Sequence, residues 1–196
     1  LNSQDVTWKT EEKRATEIGR VFQDPMLGTA ASMTIEENLA MAMKRGEKRR
    51  FRRGIGKNER DFFREKLAVI GLGLENRLST KVGLLSEGQR QALTLLMATI
   101  KEPKLLLLDE HTAALDPKTG KKVLELTDEI VSQNKLTTLM ITHNLEVAMG
   151  MGNRTIMMHE GNIVLDITGQ ERQRTSVTSL LEMFGKGIVS DRMALG

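Results

Sequence analysis

A run of four leucines, Leu105–Leu108, ends in two acids, Asp109 and Glu110. The run is continuously apolar and too short for a buried helix, so it predicts an interior parallel strand. Ligands of open parallel sheets bind at the carboxyl ends of the strands. One carboxylate there can hold Mg²⁺ beside the phosphates of a nucleotide, and the next can polarise a water molecule. Acids also follow strands that simply reach solvent, so this pattern alone leaves the function open.

Patterns elsewhere predict alternating strands and helices. Apolar residues recur at helical spacing over 118–134, a second buried strand is predicted over 137–141, and a short helix over 144–151. Glu160-Gly161-Asn162 predicts a hairpin between strands over 155–159 and 163–166. This alternation indicates an α/β fold with a parallel sheet. A further strand is predicted over 18–22, and a helix that begins at the capping box Thr34–Glu37 and ends at Met43. Helices are also predicted over 58–70 and 89–100. The last predicted element is a terminal amphipathic helix with Val177, Leu180, Leu181 and Phe184.

Composition places the chain among globular proteins. Its 196 residues are 39% hydrophobic and 28% charged, enough for one substantial domain with a packed core. The absence of cysteine excludes a disulfide framework and a thiolate metal site. No run approaches the roughly 18 apolar residues of a membrane span, and the polar N-terminus is not a signal peptide. The net charge of +3 does not by itself imply nucleic acid.

A basic block over 44–57 has three interpretations. It contains Lys48, Arg49, Arg50, Arg52 and Arg53, opposed only by Glu47. A solvated loop between helices is the usual state of such a run. Contact with anionic lipid head groups is a second interpretation. Nucleic-acid binding is a third, although Phe51 is the only aromatic residue available for stacking on bases.

Three further motifs carry candidate site residues. Leu85-Ser86-Glu87-Gly88-Gln89 leads into a helix, where a serine hydroxyl and a glycine N–H can bind an anion, or the serine can be an ordinary N-cap. His143 follows the second predicted strand, a place where a lone histidine is usually structural or exposed. Gln23 precedes the turn Asp24-Pro25 and indicates nothing alone.

Together, the order and spacing of these motifs resemble the nucleotide-binding subunit of ABC transporters, from about Gly19 to Gly161. The motifs that carry the resemblance are Gln23 (Q-loop), Leu85–Gln89 (signature), Asp109 and Glu110 (Walker B and catalytic glutamate), Ala114-Leu115-Asp116 (D-loop) and His143 (switch histidine). The resemblance implies a partial P-loop NTPase core with a parallel sheet and an α-helical subdomain. It divides the chain into a core remnant over 1–32, the helical subdomain over 33–102, and an α/β core over 103–196.

The resemblance also implies a mechanism with ATP and Mg²⁺. Two subunits would dimerise head to tail and trap ATP between them. Asp109 and Gln23 are expected to bind Mg²⁺, and Gln23 also to sense the γ-phosphate of the nucleotide and to link the helical subdomain to the membrane partner. Glu110 is expected to orient or deprotonate water, and His143 to contact the γ-phosphate. The residues expected to contact nucleotide on the opposite subunit are Ser86, Gly88 and Gln89, and Asp116 is expected to cross the interface. Phosphoryl transfer depends on positioning and charge stabilisation, which suits a site that closes and opens.

The chain departs from the family pattern in three places. No Gly-x-x-x-x-Gly-Lys-Ser/Thr loop occurs in the 196 residues. Three explanations are open: a truncated sequence, a segment supplied by another chain, or a non-hydrolysing regulator. We expect the chain as given to be inactive, to bind ATP poorly, and to have an unpaired sheet edge that favours aggregation. Glu87 replaces the usual signature glycine, and His111 stands where proline usually follows the Walker B acids.

The expected function is an ATP-hydrolysing subunit that energises solute transport, on the inner face of the cell membrane. Its expected partners are a transmembrane permease, a second ATPase subunit and a solute-binding protein, with no nucleic acid. His111, with Ile156–Gly161, resembles bacterial importers of amino-acid-like solutes. The alternatives are a soluble ABC-type ATPase acting on nucleic acid or ribosomes, and a non-catalytic dimerisation module.

Overall fold

The computed structural model describes residues 1–47 and 55–182. The chain divides into two compact units, Leu1–Ile141 and Thr142–Gly196. The centre of the basic block, from Lys48 to Arg53, and Phe184 of the predicted terminal helix lie outside the described residues. The three-part division expected from the sequence stays a prediction.

The first unit contains a three-stranded parallel sheet in the order β1 (Ile18–Val21), β2 (Leu105–Asp109), β3 (Thr138–Ile141). The leucine strand is central, and its Leu106 and Leu108 are buried. The parallel α/β sheet predicted from the sequence is confirmed. Since all three strands point the same way, their carboxyl ends meet at one edge.

Some helices of the first unit pack against this sheet, and others form a separate helical layer. Their bounds are α1 (Glu11–Ala15), α2 (Ile35–Met43), α3 (Lys57–Ile70), α4 (Glu87–Thr99) and α5 (Pro117–Gln133). The predicted capping box starts α2: Thr34 Oγ1 accepts from the Glu37 N–H at 3.3 Å, and the Glu37 carboxylate accepts from the Thr34 N–H at 2.7 Å. Gly71, with φ of +68°, ends α3 in the left-handed conformation.

Helix α4 joins two hydrophobic cores. Its Leu93 and Leu96 pack with α2 and α3, in a cluster that includes Phe63 and Leu67. Its opposite face packs against the sheet, in a second cluster with the buried members Val21, Ala92, Leu95, Ala98, Leu106, Leu108 and Leu126. Because α4 is buried on two sides, its position relative to the sheet is fixed by packing.

The prediction that β3 is buried is wrong. Leu139 and Ile141 are 54% and 55% exposed. The reason is the strand order, which places β3 at an edge: within the described residues no strand pairs beyond it. Its apolar sequence had indicated an interior strand.

The second unit contains the predicted hairpin. Its elements are α6 (Leu145–Gly150), β4 (Arg154–His159), β5 (Asn162–Thr168) and α7 (Gly169–Arg174), followed by helical residues over 177–182. Strands β4 and β5 pair antiparallel around Glu160 and Gly161, both with positive φ. The Arg172 guanidinium donates to the Met149 and Met151 carbonyls at 2.8 and 2.6 Å, which joins α7 to the end of α6. In the part of the chain that the structure describes, no helix is long and apolar enough to span a bilayer.

Candidate functional site

An open cavity of about 480 Å³ lies at the carboxyl ends of β1 and β2. It is lined by the segment after β1, the end of β2, the first turn of α4, and the segment before α5. The lining residues are Arg20, Phe22, Gln23, Asp24, Leu27, Glu87, Asp109 and Ala114. The structure thus brings together two predicted site residues, Gln23 and Asp109, that are far apart in sequence.

Asp109 is paired with Arg20, to which the sequence analysis assigned no role. The Arg20 guanidinium donates to Asp109 Oδ2 at 3.1 Å and lies 4.4 Å from the centre of the Phe22 ring. Arg20 is in register with Leu107, and Asp109 lies two residues further along β2, on the same face of the sheet. The only sequence signal for a role of Arg20 is its charge, which stands alone inside the short apolar strand β1. Both side chains are partly exposed, so the pair adds at most about 1 kcal/mol of stability.

Glu110 has a backbone conformation that is unusual for a side chain of its type. Its φ is +43°, in the left-handed region. Its N–H donates to the Ile141 carbonyl at 3.0 Å, and its own carbonyl accepts from the Ala113 N–H at 2.9 Å. These bonds hold the residue between the end of β3 and the following turn.

His111 anchors the turn after Glu110 to α5. The ring is buried, and its Nε2 lies 3.0 Å from Thr127 Oγ1. Since the Thr127 hydroxyl donates to the Val123 carbonyl at 2.7 Å, it accepts from the imidazole N–H. Burial lowers the pKa of His111 to about 4, so the ring is neutral at physiological pH.

The signature segment begins α4. Ser86 Oγ accepts from the Gln89 N–H at 3.3 Å, and Gln89 Oε1 accepts from the Ser86 N–H at 3.2 Å. This is the ordinary capping box, and both Ser86 and Glu87 remain exposed. Gly88 is buried: a Cβ on it would lie 2.1 Å from the Thr119 methyl carbon of α5. A glycine is therefore required for the contact between α4 and α5.

Of the predicted site residues, Gln23 and Asp109 line the cavity; those outside its lining are Glu110, Ser86, Gly88, Gln89, Asp116 and His143. Asp116 is the N-cap of α5, with Oδ1 accepting from the Thr119 N–H at 3.1 Å; hydrogen bonds from the Thr119 side chain and backbone lower the pKa of Asp116. His143 is exposed and belongs to the second unit. The roles of Ser86, Gly88 and His143, like that of Asp116, stay predictions.

The residues around the cavity suit a hard cation. Within the described residues no cluster of three or more acidic, histidine or cysteine side chains could hold a metal alone. Mg²⁺, however, is usually held by one or two protein oxygens together with phosphates and water. The Asp109 carboxylate already faces a cation, the Arg20 guanidinium, and shares the cavity with the amide of Gln23. These donors fit Mg²⁺ bound with a nucleotide.

Comparisons with known proteins agree with this arrangement. The family described as ABC transporter matches residues 1–113. The tyrosine transport ATP-binding protein of Clostridioides difficile is 46% identical over 94% of this chain and 73% of its own length. The methionine import ATP-binding protein MetN of Streptococcus pneumoniae is 32% identical over 78% of this chain, which spans 40% of that protein.

Solved structures show the same fold. The dimeric post-hydrolysis state of the ATP-binding cassette MJ0796, bound to ADP and phosphate, superposes with a TM-score of 0.66 and 27% identity, over 85% of this chain and 68% of that one. CbiO1 from Clostridium perfringens gives a TM-score of 0.70 over 91% of this chain and 66% of its own, with 24% identity, a likeness in fold.

The fold and the cavity define an α/β nucleotide-binding ATPase domain, and the chain belongs to the ABC transporter family as an ATP-binding subunit. The fold class, the family and the ATPase function expected from the motifs are confirmed. The likeness to bacterial amino-acid importers, indicated by His111 and 156–161, is confirmed as well.

Proposed function

We propose that this subunit binds Mg²⁺ and ATP at the cavity at the carboxyl ends of β1 and β2 and hydrolyses ATP to drive import of an amino acid, once a phosphate-binding loop, which the 196 residues lack, is supplied to it. The observation that carries the proposal is the shared cavity of Gln23 and Asp109 at the carboxyl edge of the sheet. Catalytic and metal-binding groups of open parallel sheets occupy that edge.

Asp109 and Gln23 would hold the cation, with Arg20 giving up its bond to the Asp109 carboxylate. The cation would supply charge neutralisation at the phosphates. Glu110 orients the attacking water and accepts its proton. The anchored turn, with the Glu110 N–H bonded to the Ile141 carbonyl and the neighbouring His111 bonded to Thr127, holds the backbone that carries this carboxylate. Pre-positioning of this kind is the main source of rate in phosphoryl transfer.

A second copy of the subunit completes the site. Ser86 is exposed at the start of α4, where hydroxyl and N–H groups meet the positive end of the helix dipole. Ser86, Gly88 and Gln89 approach the nucleotide on the opposite subunit, Asp116 crosses the interface, and His143 contacts the γ-phosphate. The dimeric ADP-and-phosphate complex of the MJ0796 cassette supports this arrangement.

A transmembrane permease binds beside the Q-loop. Leu27 and Leu84 are 70% and 72% exposed, and Met26 is also exposed. Arg90 contacts Met26 and donates to the Leu85 carbonyl at 3.0 Å, so these apolar side chains lie on one part of the surface. The subunit then lies on the inner face of the membrane. The names of the tyrosine and methionine relatives support an amino acid as the solute, delivered by a solute-binding protein.

The test compares Glu110→Gln with Glu125→Gln, an exposed carboxylate on α5 that lies outside the cavity lining. The protein is expressed as its gene encodes it, and ATP binding and hydrolysis are measured separately. Glu110→Gln should lower hydrolysis at least about 100-fold, because a general base contributes 10²–10⁴-fold, and should leave ATP binding intact. Glu125→Gln should behave as wild type. Undiminished turnover in Glu110→Gln would refute the assignment.

The solute is tested by reconstituting the subunit and its permease in vesicles. Uptake of labelled tyrosine and methionine is compared with uptake of a sugar, with and without ATP. Transport of neither amino acid would contradict the importer proposal while leaving the ATPase result unaffected.

A further inference from the structure

Gln91 of α4 is a buried polar residue that no motif assignment uses. It is 1% exposed, and its Nε2 donates to the Phe22 carbonyl at 3.1 Å, across 69 positions of sequence. That carbonyl belongs to the peptide group that joins Phe22 to Gln23. The hydrogen bond therefore fixes the backbone directly in front of the Q-loop glutamine.

The other end of the same segment is held by the same face of α4. Thr94 lies one turn beyond Gln91, and a Cβ on Gly28 would come within 3.2 Å of the Thr94 methyl carbon. Between these points Arg90 contacts the Met26 sulfur. The contacts made by Arg90 and Gln91, and the close approach of Thr94 to Gly28, place residues 22–28 along one face of α4.

The polarity of Gln91 is not explained by core packing. Its Oε1 is buried and has no hydrogen-bond partner within the described part of the chain. An apolar side chain of the same length would fill the space without leaving a buried acceptor unpaired. The bond to the Phe22 carbonyl is the interaction that requires an amide here.

We infer that Gln91 is a positioning residue that joins the Q-loop to the signature segment, so that the two move together. The signature residues Ser86–Gln89 form the first turn of α4, and Gln91 lies in the next turn of the same helix. A displacement of Gln23 is transmitted through the Phe22 carbonyl to Gln91 and along the helix to Ser86. The inference rests on the proposed roles of Gln23 and Ser86.

The test uses hydrogen exchange of the full chain, followed by mass spectrometry. Gln91→Met keeps the length of the side chain and removes the N–H group that donates to the Phe22 carbonyl. Gln91→Glu keeps the shape of the side chain and replaces that donor by a carboxylate oxygen. Thr99→Val is the matched control, because Thr99 is buried on α4 and its hydroxyl donates to the Leu95 and Leu96 carbonyls of the same helix.

Amides of residues 22–28 should exchange about fivefold faster in Gln91→Met, the effect of losing one typical hydrogen bond, and at least as fast in Gln91→Glu. Thr99→Val should leave this segment unchanged. Unchanged exchange in both Gln91 variants overturns the inference, as does an equal increase throughout Leu1–Ile141, which is the signature of a merely structural role.

A second readout separates this inference from the proposed function. In the reconstituted transporter, Gln91→Met should retain basal ATP hydrolysis and the KM for ATP, and lose stimulation by the transported solute; Thr99→Val should retain both. Stimulation that persists in Gln91→Met overturns the coupling role. If wild type hydrolyses no ATP, the proposed function fails, while the exchange result still decides the role of Gln91.

Discussion

The contact between Gly88 and Thr119 makes a quantitative prediction about the signature helix. Alanine at position 88 would place its Cβ 2.1 Å from the Thr119 methyl carbon, closer than any real contact. Overpacking of this kind costs about 1–3 kcal/mol. Replacing glycine by alanine in a helix returns about 0.5–1 kcal/mol. Gly88→Ala should therefore lower the free energy of unfolding by up to about 2.5 kcal/mol.

A second substitution should reverse this loss. Thr119→Ser removes the methyl carbon, and the next atom that the new Cβ would meet is the Thr119 Cβ at 3.5 Å, an ordinary contact. The N-cap of α5 survives, because Asp116 accepts from the backbone N–H of residue 119. The double variant should be at least as stable as Thr119→Ser alone, with a coupling energy of about 1–3 kcal/mol between the sites.

The assay is urea unfolding followed by circular dichroism, with the four proteins of the cycle measured together. Gly120→Ala in α5 is the control, since its new Cβ would meet nothing nearer than 3.8 Å. It should be neutral or stabilising. Additive effects of Gly88→Ala and Thr119→Ser, or a Gly88→Ala variant as stable as Gly120→Ala, would refute the packing argument.

Two further predictions concern buried polar groups. Burial lowers the pKa of His111 from 6.5 to about 4, so as the pH falls the unfolded chain binds this proton before the folded chain does. The free energy of unfolding should therefore fall by up to about 3 kcal/mol between pH 6.5 and 4, and His111 should cause no change in it above pH 6.5. Urea melts at several pH values can check this, and His111→Leu should abolish the part of the pH dependence that His111 causes. Asn38 is fully buried and bonds to the Ala30 N–H at 2.8 Å and the Thr34 carbonyl at 2.9 Å. Asn38→Ala should lower stability by about 1–3 kcal/mol in thermal melts, because the Ala30 N–H loses its acceptor while the Thr34 carbonyl keeps the backbone N–H of residue 38. The exposed Asn76→Ala should change stability by less than about 0.5 kcal/mol.

Local signals were sufficient for most of the fold. The capping box at Thr34 and Glu37 placed the start of α2, and the leucine run placed β2, because both depend on neighbours in sequence. The short helices α1 and α7 escaped prediction, since neither has an apolar face and neither buries a residue. The exposure of β3 could not be predicted either, because it depends on which strand lies beside it.

Motif order indicated two of the residues that line the cavity, and none of the contacts that those residues make. Asp109 and Gln23 were found from motif order, and the structure places both at one cavity. The pairing of Asp109 with Arg20 depends on strand register, and the hydrogen bond from Gln91 to Phe22 spans 69 positions. Contacts of that range follow from tertiary packing and leave little trace in local sequence.

The left-handed backbone at Glu110 lowers the stability of the fold, whereas the carboxylate it carries has a proposed role in ATP hydrolysis. Glycine there would adopt a φ of +43° without the penalty that a side chain carries, about 1 kcal/mol, but would remove the carboxylate. Substitutions that stabilise the chain therefore lead away from glutamate at this position. On the proposed role of Glu110 as the general base, a lineage released from the need to hydrolyse ATP would lose Glu110 early, and the residue at this position would then record whether selection for turnover still acts.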